Sequence, residues 1–294
     1  MHESDVDRVL LGDSWALSKT LPSEAVQCIV TSPPYFGHRN YTGSDALKPF
    51  EFGQEKSPAE YVEKLQTLFT EFKRVLKPNG TVWLNLGDSY RDQQLLGIPW
   101  RVALALQDAG YYLRSEIIWH KPNAMPSSVK NRPTTAHEHL FLLTRSDQYY
   151  YDADAIREPH VTFSEKSRMR GGRGHFGKRN STPENGKNKQ NPNLHDGRWD
   201  QAFHPNGRNK RTVWEIPLGK FREAHFAVFP ETLVETCLLA GSAAGDLVLD
   251  PFMGSGTTAL VAKRLGRNFL GIELVPEYAE MTMRRIREVQ PVLL

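Results

Sequence analysis

The chain has 294 residues, 39% of them apolar, and sets 37 Lys and Arg against 34 Asp and Glu for a net charge of +3. That size suits one large domain or a domain with an insertion, and no run approaches the roughly 18 apolar residues of a membrane-spanning helix. Two cysteines, Cys28 and Cys237, exclude a disulfide scaffold and a Cys-based zinc site, and the N-terminus lacks the basic-then-apolar pattern of a secretory leader, so a soluble cytoplasmic protein is expected.

Residues 26–31 form a short apolar run closed by Pro33-Pro34, which reads as a buried strand ending in a sharp turn. Over 61–76, Tyr61, Leu65, Leu68, Phe69, Phe72 and Leu76 recur at helical spacing, and Pro78-Asn79-Gly80 stops that helix. A strand over 81–86, a helix over 98–108 ending near Gly110, and strands over 113–119 and 139–144 follow. Then comes a polar stretch: residues 157–222 carry 15 Lys and Arg against 6 Asp and Glu, a net of +9, whereas the rest of the chain carries 22 against 28. Rich in Gly, Asn and Pro, it shows no apolar periodicity. Confined basic charge points to contact with a polyanion, and a solvated loop is the alternative. Beyond it a helix is predicted over 230–239, a strand over 246–250, a helix ending at Gly266, a strand over 268–273 and a last helix from Pro276. Strands alternating with helices of this length predict an α/β domain with a mainly parallel sheet covered on both faces. The expected division is 1–155, a basic insert over 156–222, and 223–294.

Ligands of such sheets bind outside the carboxyl ends of the strands, and two strand ends carry unusual chemistry. In Leu247-Val248-Leu249-Asp250-Pro251-Phe252-Met253-Gly254-Ser255-Gly256-Thr257-Thr258, an apolar strand runs into a carboxylate and then a glycine turn that opens a helix. Glycines let the backbone approach a ligand, and a helix N-terminus offers free N–H groups. The run is neither GxGxxG nor a Walker loop. Glu273 ends the next strand, 19 residues past Gly254, a distance that suits hydrogen bonding to a ribose diol. An adenosine-bearing ligand without a pyrophosphate is expected. The second strand end is Thr31-Ser32-Pro33-Pro34-Tyr35. Its prolines fix the Ser32 hydroxyl and the Pro33 carbonyl as acceptors, with Tyr35 presented beside them to stack on a base. An exocyclic nucleobase amine is a poor nucleophile because its lone pair is delocalised. Acceptors aimed at its hydrogens favour a more tetrahedral nitrogen and stabilise the positive charge that develops during attack on a methyl group.

The pair TSPPY and DPFMGSGTT resembles the S-adenosylmethionine-dependent DNA amino-methyltransferases of the beta class, in which the catalytic motif precedes the cofactor motif. The resemblance covers most of the chain outside the basic insert. It implies a Rossmann-like methyltransferase fold in circularly permuted order, with the insert as target-recognition region. Leu10-Leu11-Gly12-Asp13 resembles the family's opening element, which makes Asp13 the contact to the cofactor adenine. Phe69 to Gly80 resembles the helix and turn that follow the catalytic strand. Ile118-Trp119-His120-Lys121-Pro122-Asn123 and His137-Glu138-His139 resemble elements lining the base pocket. His225 to Glu231 resembles the segment that closes over the methionine end, although Phe229-Pro230 departs from the family's His-Pro-x-Lys-Pro form. The implied cofactor residues are Asp13, Thr31, Phe229, Pro230, Glu231, Asp250, Pro251, Phe252, Gly254, Ser255, Gly256, Thr257, Thr258 and Glu273. Asp250 has two readings, as the brace of the glycine turn or as a partner for the methionine ammonium group. Ser32, Pro33, Pro34 and Tyr35 are the implied catalytic residues.

SPPY in this family mostly accompanies N4-cytosine methylation and DPPY N6-adenine, so the expected reaction is methyl transfer to N4 of a flipped cytosine in double-stranded DNA. Adenine N6 is the alternative, since a hydroxyl still accepts one hydrogen bond. Methylation at C5 needs a thiolate, and neither cysteine follows a proline in a catalytic turn; the zinc-deaminase pattern is absent. A DNA-binding module without turnover would have a damaged catalytic turn, and protein-glutamine methyltransferases carry their motifs in the opposite order. Arg168, Arg170, Arg173, Lys178 and Arg179 of the insert, with Arg39 and Tyr41 beyond the catalytic turn, are the candidate DNA contacts. No metal site is expected: His137 and His139 read as strand-edge structure, and Trp83, Trp119 and Trp214 as core. A cognate restriction endonuclease and a homodimer stay open as partners.

Overall fold

The computed structural model describes residues 6–159, 206–219 and 230–288. In chain order, the strands are β1 (Arg8–Leu11), β2 (Val26–Thr31), β3 (Leu76–Leu86), β4 (Tyr90–Arg91), β5 (Gln94–Leu95), β6 (Tyr112–His120), β7 (His137–Thr144), β8 (Val213–Glu215), β9 (Leu247–Asp250) and β10 (Asn268–Glu273). The helices are α1 (Ser14–Ser18), α2 (Pro58–Val75), α3 (Ile98–Asp108), α4 (Glu231–Gly241), α5 (Thr257–Arg264) and α6 (Pro276–Arg287). The chain clusters into two units, Met1–Asp152 with Thr212–Leu294, and Ala153–Arg211. In the second, a bridge joins Glu158 to Arg208, and Glu158 also pairs with Lys210.

The first unit holds an eight-stranded sheet in the order β1-β10-β9-β2-β3-β7-β6-β8. From β1 to β3 every pairing is parallel; β7 runs antiparallel to both β3 and β6. The expected α/β fold with a mainly parallel sheet is thus observed. The apolar stripe of α2 (Tyr61, Leu65, Leu68, Phe69 and Phe72) is fully buried in one cluster with Ile29 of β2 and Val82 and Leu84 of β3. Each such side chain contributes roughly 1.5–3 kcal/mol on leaving water. Ser57 starts this helix by accepting from the Glu60 N–H (3.2 Å), with Pro58 at its first position. No described helix is long and apolar enough to cross a membrane.

Elements at 26–31, 98–108 and 268–273 have the expected bounds. Three differences bear on the site. β3 begins at Leu76 rather than 81: α2 ends at Val75 as the turn residues predicted, but Leu76 pairs with Val26 and Thr81 with Cys28, so Pro78-Asn79-Gly80 lies within the strand at a register shift. β7 begins at His137, two residues early, which puts Glu138 on the strand opposite Trp119. The short strands β1, β4, β5 and β8 carry too few residues to show periodicity. As for the tryptophans, Trp83, Trp119 and Trp214 are buried.

Candidate active site

Strands β2 and β9 are parallel neighbours, pairing Cys28 with Val248 and Ile29 with Leu249, so their carboxyl ends open side by side. The residues that follow are joined directly: Thr31 Oγ1 donates to Asp250 Oδ1 at 2.6 Å. The same oxygen accepts from the Phe252 N–H (3.0 Å), and Oδ2 accepts from Thr258 Oγ1 (2.8 Å). Burial pushes the Asp250 carboxyl up to about 6, against the pull of those three donors. These partners come from the end of β2, the glycine turn and the start of α5, so in this geometry Asp250 acts as the brace.

The glycine loop packs against the last helix, α6. Gly256 has φ +82, and a Cβ there would lie 2.5 Å from Thr282 Cγ2, which makes glycine obligatory. Thr282 Oγ1 in turn donates to the Gly254 carbonyl at 2.9 Å. From the adjacent β10, Glu273 accepts from Gly254 N–H at Oε2 (2.7 Å) and from Val275 N–H at Oε1 (2.9 Å). Burial, the first cause, pushes its carboxyl up to about 7. The Glu273 carbonyl accepts from Gly12 N–H (2.8 Å), bringing the end of β1 and Asp13 to the same edge. Asp13 caps α1 by accepting from Ala16 N–H at 2.9 Å.

On the other side, polar groups converge on Tyr35. Its hydroxyl donates to Glu138 Oε2 (2.6 Å), receives Asn85 Nδ2 (2.7 Å) and lies 3.1 Å from Ser32 Oγ. Asn85 Nδ2 also donates to Glu138 Oε2 (2.7 Å), and Lys121 Nζ pairs with Glu138 Oε1. Burial first, and Glu138 second, hold the Tyr35 phenol well above its ordinary range, so it stays protonated. Gly87 allows the ring its place: a Cβ there would fall 2.5 Å from Tyr35 Cε2. Pro34 is held by Tyr61, whose hydroxyl donates to its carbonyl at 2.9 Å.

Both sets of groups line one cavity of about 670 Å³. Ser32, Pro33, Pro34 and Tyr35 are on its wall, as are Arg39 and Tyr41. From the expected cofactor set, Asp13, Pro251, Phe252, Gly254, Ser255, Thr257 and Glu273 are on it too. Thr31, Asp250, Gly256 and Thr258 stand behind the wall and support it. Pro230 and Glu231 are also off the wall; Glu231 pairs with Arg264 at 2.7 Å. Phe229 and the insert residues Arg168, Arg170, Arg173, Lys178 and Arg179 lie outside the described residues. Trp119, Lys121, His137 and Glu138, from the segments likened to a base pocket, do line the cavity. Asn85 is the residue that sequence reasoning passed over, a 1% exposed amide in the otherwise apolar run 82–86 of β3. That polar side chain was the available signal, because a buried amide needs partners.

The cavity suits a nucleoside that carries a charged tail. Carboxylates of Asp13 and Glu273 supply acceptors, and Phe252, Pro251 and Met253 supply apolar surface. Thr257 Oγ1, at the first position of α5, is buried with no hydrogen-bond partner, a vacancy that a ligand atom would fill. These residues fit the adenosine-bearing methyl donor that the motifs implied.

The model of the family described as DNA methylase, of the N6/N4 type, matches residues 26–284. The chain is 40% identical to the Type II methyltransferase M.Cfr9I of Citrobacter freundii, over 94% of this chain and 86% of the relative. It is 37% identical to M.SmaI of Serratia marcescens, over 95% and 90%. Among solved structures, the cytosine-N4-specific PvuII DNA methyltransferase shares the fold with a TM-score of 0.67 at 21% identity, covering 97% of this chain and 87% of that one. TTHA0409 of Thermus thermophilus, solved in complex with S-adenosyl-L-methionine, gives 0.60 at 27% identity, covering 96% and 94%. With the Ser-Pro-Pro-Tyr turn and the glycine loop in one cavity and the family model matched over most of the chain, the chain belongs to the S-adenosylmethionine-dependent DNA amino-methyltransferases of the N6/N4 DNA methylase family.

Proposed function

We propose that the protein is a Type II modification enzyme that methylates N4 of a cytosine extruded from double-stranded DNA. The observation that carries this reading is Ser32 on the wall of the cavity shared with the glycine loop, where DPPY enzymes have a carboxylate. When bound, the cofactor supplies a methyl group made electrophilic by its sulfonium. Asp13 and Glu273 accept hydrogen bonds from the nucleoside, Thr257 Oγ1 gains its missing partner, and the first turn of α5 offers backbone N–H groups to the carboxylate. Ser32 Oγ and the Pro33 carbonyl accept from the target amine, which turns its lone pair out of the ring, while Tyr35 flanks the base. Extrusion costs a few kcal/mol, and phosphate contacts from Arg39, Tyr41 and the arginines and lysine of the insert hold the duplex meanwhile. The Type II relatives support a cognate endonuclease as partner, and a homodimer is compatible with the reading.

Incubation with duplex DNA and methyl-labelled S-adenosylmethionine, followed by mass spectrometry of the nucleosides, tests the assignment. Label on N4-methyl-2′-deoxycytidine is expected. Label on N6-methyl-2′-deoxyadenosine replaces the target base, and label on neither removes the activity. Replacing Arg168, Arg170, Arg173, Lys178 and Arg179 together by alanine is expected to weaken DNA binding and flatten its salt dependence while cofactor binding survives.

A further inference from the structure

The reaction leaves one proton to be placed. A neutral amine that gains a carbon carries a positive charge until it sheds a hydrogen. Glu138, 103 residues along the chain from Tyr35, has a side chain only 15% exposed, and its charge is balanced by Lys121. The donors around it fix the direction of every bond in the group. Lys121 Nζ only donates, and a carboxylate only accepts. Reversing the Asn85 amide would set its carbonyl against Glu138, so Nδ2 must face the carboxylate, and Oδ1 is left buried with no partner. Tyr35, receiving Asn85 at 2.7 Å, points its hydrogen at Glu138. Ser32 then gives its own hydrogen to Tyr35 across 3.1 Å; Asn85 Nδ2 also lies 3.4 Å from Ser32 Oγ, but its two hydrogens go to Tyr35 and Glu138 at 2.7 Å, so the Ser32 lone pairs are left for the cavity.

Resting on the function proposed above, we infer that Glu138 is a positioning residue that acts through Tyr35: it turns the Ser32 hydrogen away so that Ser32 faces the target amine as an acceptor, and it is the final acceptor of the proton that the amine loses. The new C–N bond takes the nitrogen lone pair, and the electron pair of the broken C–S bond stays on sulfur. As the amine proton moves to Ser32 Oγ, the Ser32 hydrogen moves to Tyr35 Oη and the Tyr35 hydrogen to Glu138 Oε2. Ser32 and Tyr35 end unchanged, Glu138 ends neutral, and no tyrosinate forms, as suits a phenol that resists ionisation. Release of the proton to solvent resets the site.

The charged or titratable groups around Glu138 are Lys121 beyond the end of β6, Tyr35 and Tyr41 from the catalytic turn and the loop after it, and His137 on its own strand. His137 is held below its ordinary range, by burial first and by His139 next, so it is the rival source of an acid limb. The test is a pH profile of single-turnover methylation, joined to a titration of Tyr35 by carbon-13 tyrosine NMR in the enzyme without DNA. Glu138→Gln is expected to slow the methylation step about 100-fold, abolish the acid limb, lower the Tyr35 pKa and leave cofactor and DNA affinity within about 2-fold. Tyr35→Phe, which cuts the same chain with Glu138 intact, is expected to abolish the acid limb as well. His137→Gln is expected to keep it. A Glu138→Gln enzyme that keeps its acid limb, or whose Tyr35 titrates as in the parent, overturns the assignment. A parent enzyme that methylates no base overturns the function proposed above, and the relay with it; the NMR arm still reads whether Glu138 and Tyr35 are coupled.

Discussion

Two strand ends of one sheet meet the same cavity in opposite ways. At the ends of β9 and β10, the glycine loop is held by backbone groups and by carboxylates within one stretch of sequence; Asp250 and Glu273 are buried and pushed up to about 6 and about 7. At the end of β2, Ser32 and Tyr35 depend on side chains from β3, β7 and the end of β6: Asn85, Glu138 and Lys121. The first end is a cradle whose geometry comes mostly from one stretch of sequence, with Thr31 and Gly12 reaching in from β2 and the end of β1. The second is a polarised network, whose geometry comes from tertiary pairing. A cradle must hold a ligand of fixed shape, whereas a network must send charge in one direction, and the chain divides those tasks between neighbouring strands.

Substitutions sharpen the contrast. Ser32→Ala is expected to have the largest effect, a loss of about 100- to 1000-fold in the methylation step with cofactor affinity nearly unchanged, read by single-turnover kinetics and calorimetry. Equal losses in rate and cofactor affinity would merge the two ends into one unit. Asp250→Ala strands three buried donors and is expected to cost about 3 kcal/mol of stability in denaturant unfolding; an unchanged midpoint would deny its role as brace.

Glu273 gives a pH signature of the cradle. Its folded pKa lies above the ordinary 4.5, so the folded chain holds the extra proton; the stability it adds is complete below about 4.5 and is lost as pH rises through about 7. A ribose diol donates better to the ionised form. Cofactor affinity is therefore expected to rise about 10-fold between pH 6 and 8, and to be flat in Glu273→Gln. The smallest effect is expected at Arg39→Ala, a few-fold loss of DNA affinity with the salt slope reduced by about 1.

The cradle was legible because its information is local. Glycines at fixed spacing after an apolar strand, and an acid 19 residues on, follow from the βαβ connection itself, and helix α5 opens where the glycine turn predicted. The position of Ser32 was legible for the same reason: 26–31 is buried throughout, and two prolines mark its end. Most of the network was not. Asn85 and Ser32 are 53 residues apart and meet only because β2 and β3 pair in parallel. Glu138 comes into reach through β7, an antiparallel strand whose start was placed two residues late, and the family resemblance rather than any spacing drew attention to it. The start of β3 was missed for a related reason: the helix does end before Pro78-Asn79-Gly80, at Val75, but pairing with β2 carries the strand back through that turn to Leu76.

The central claim, that one cleft joins the cradle to the network, is tested most directly by a crystal structure with S-adenosylhomocysteine and a duplex containing the methylated site. The account predicts the sulfur beside the glycine loop and an extruded cytosine with its N4 within hydrogen-bond reach of Ser32 Oγ, on the same cavity wall. A base left stacked in the duplex, or extruded against another surface with Ser32 facing away from it, would contradict the account.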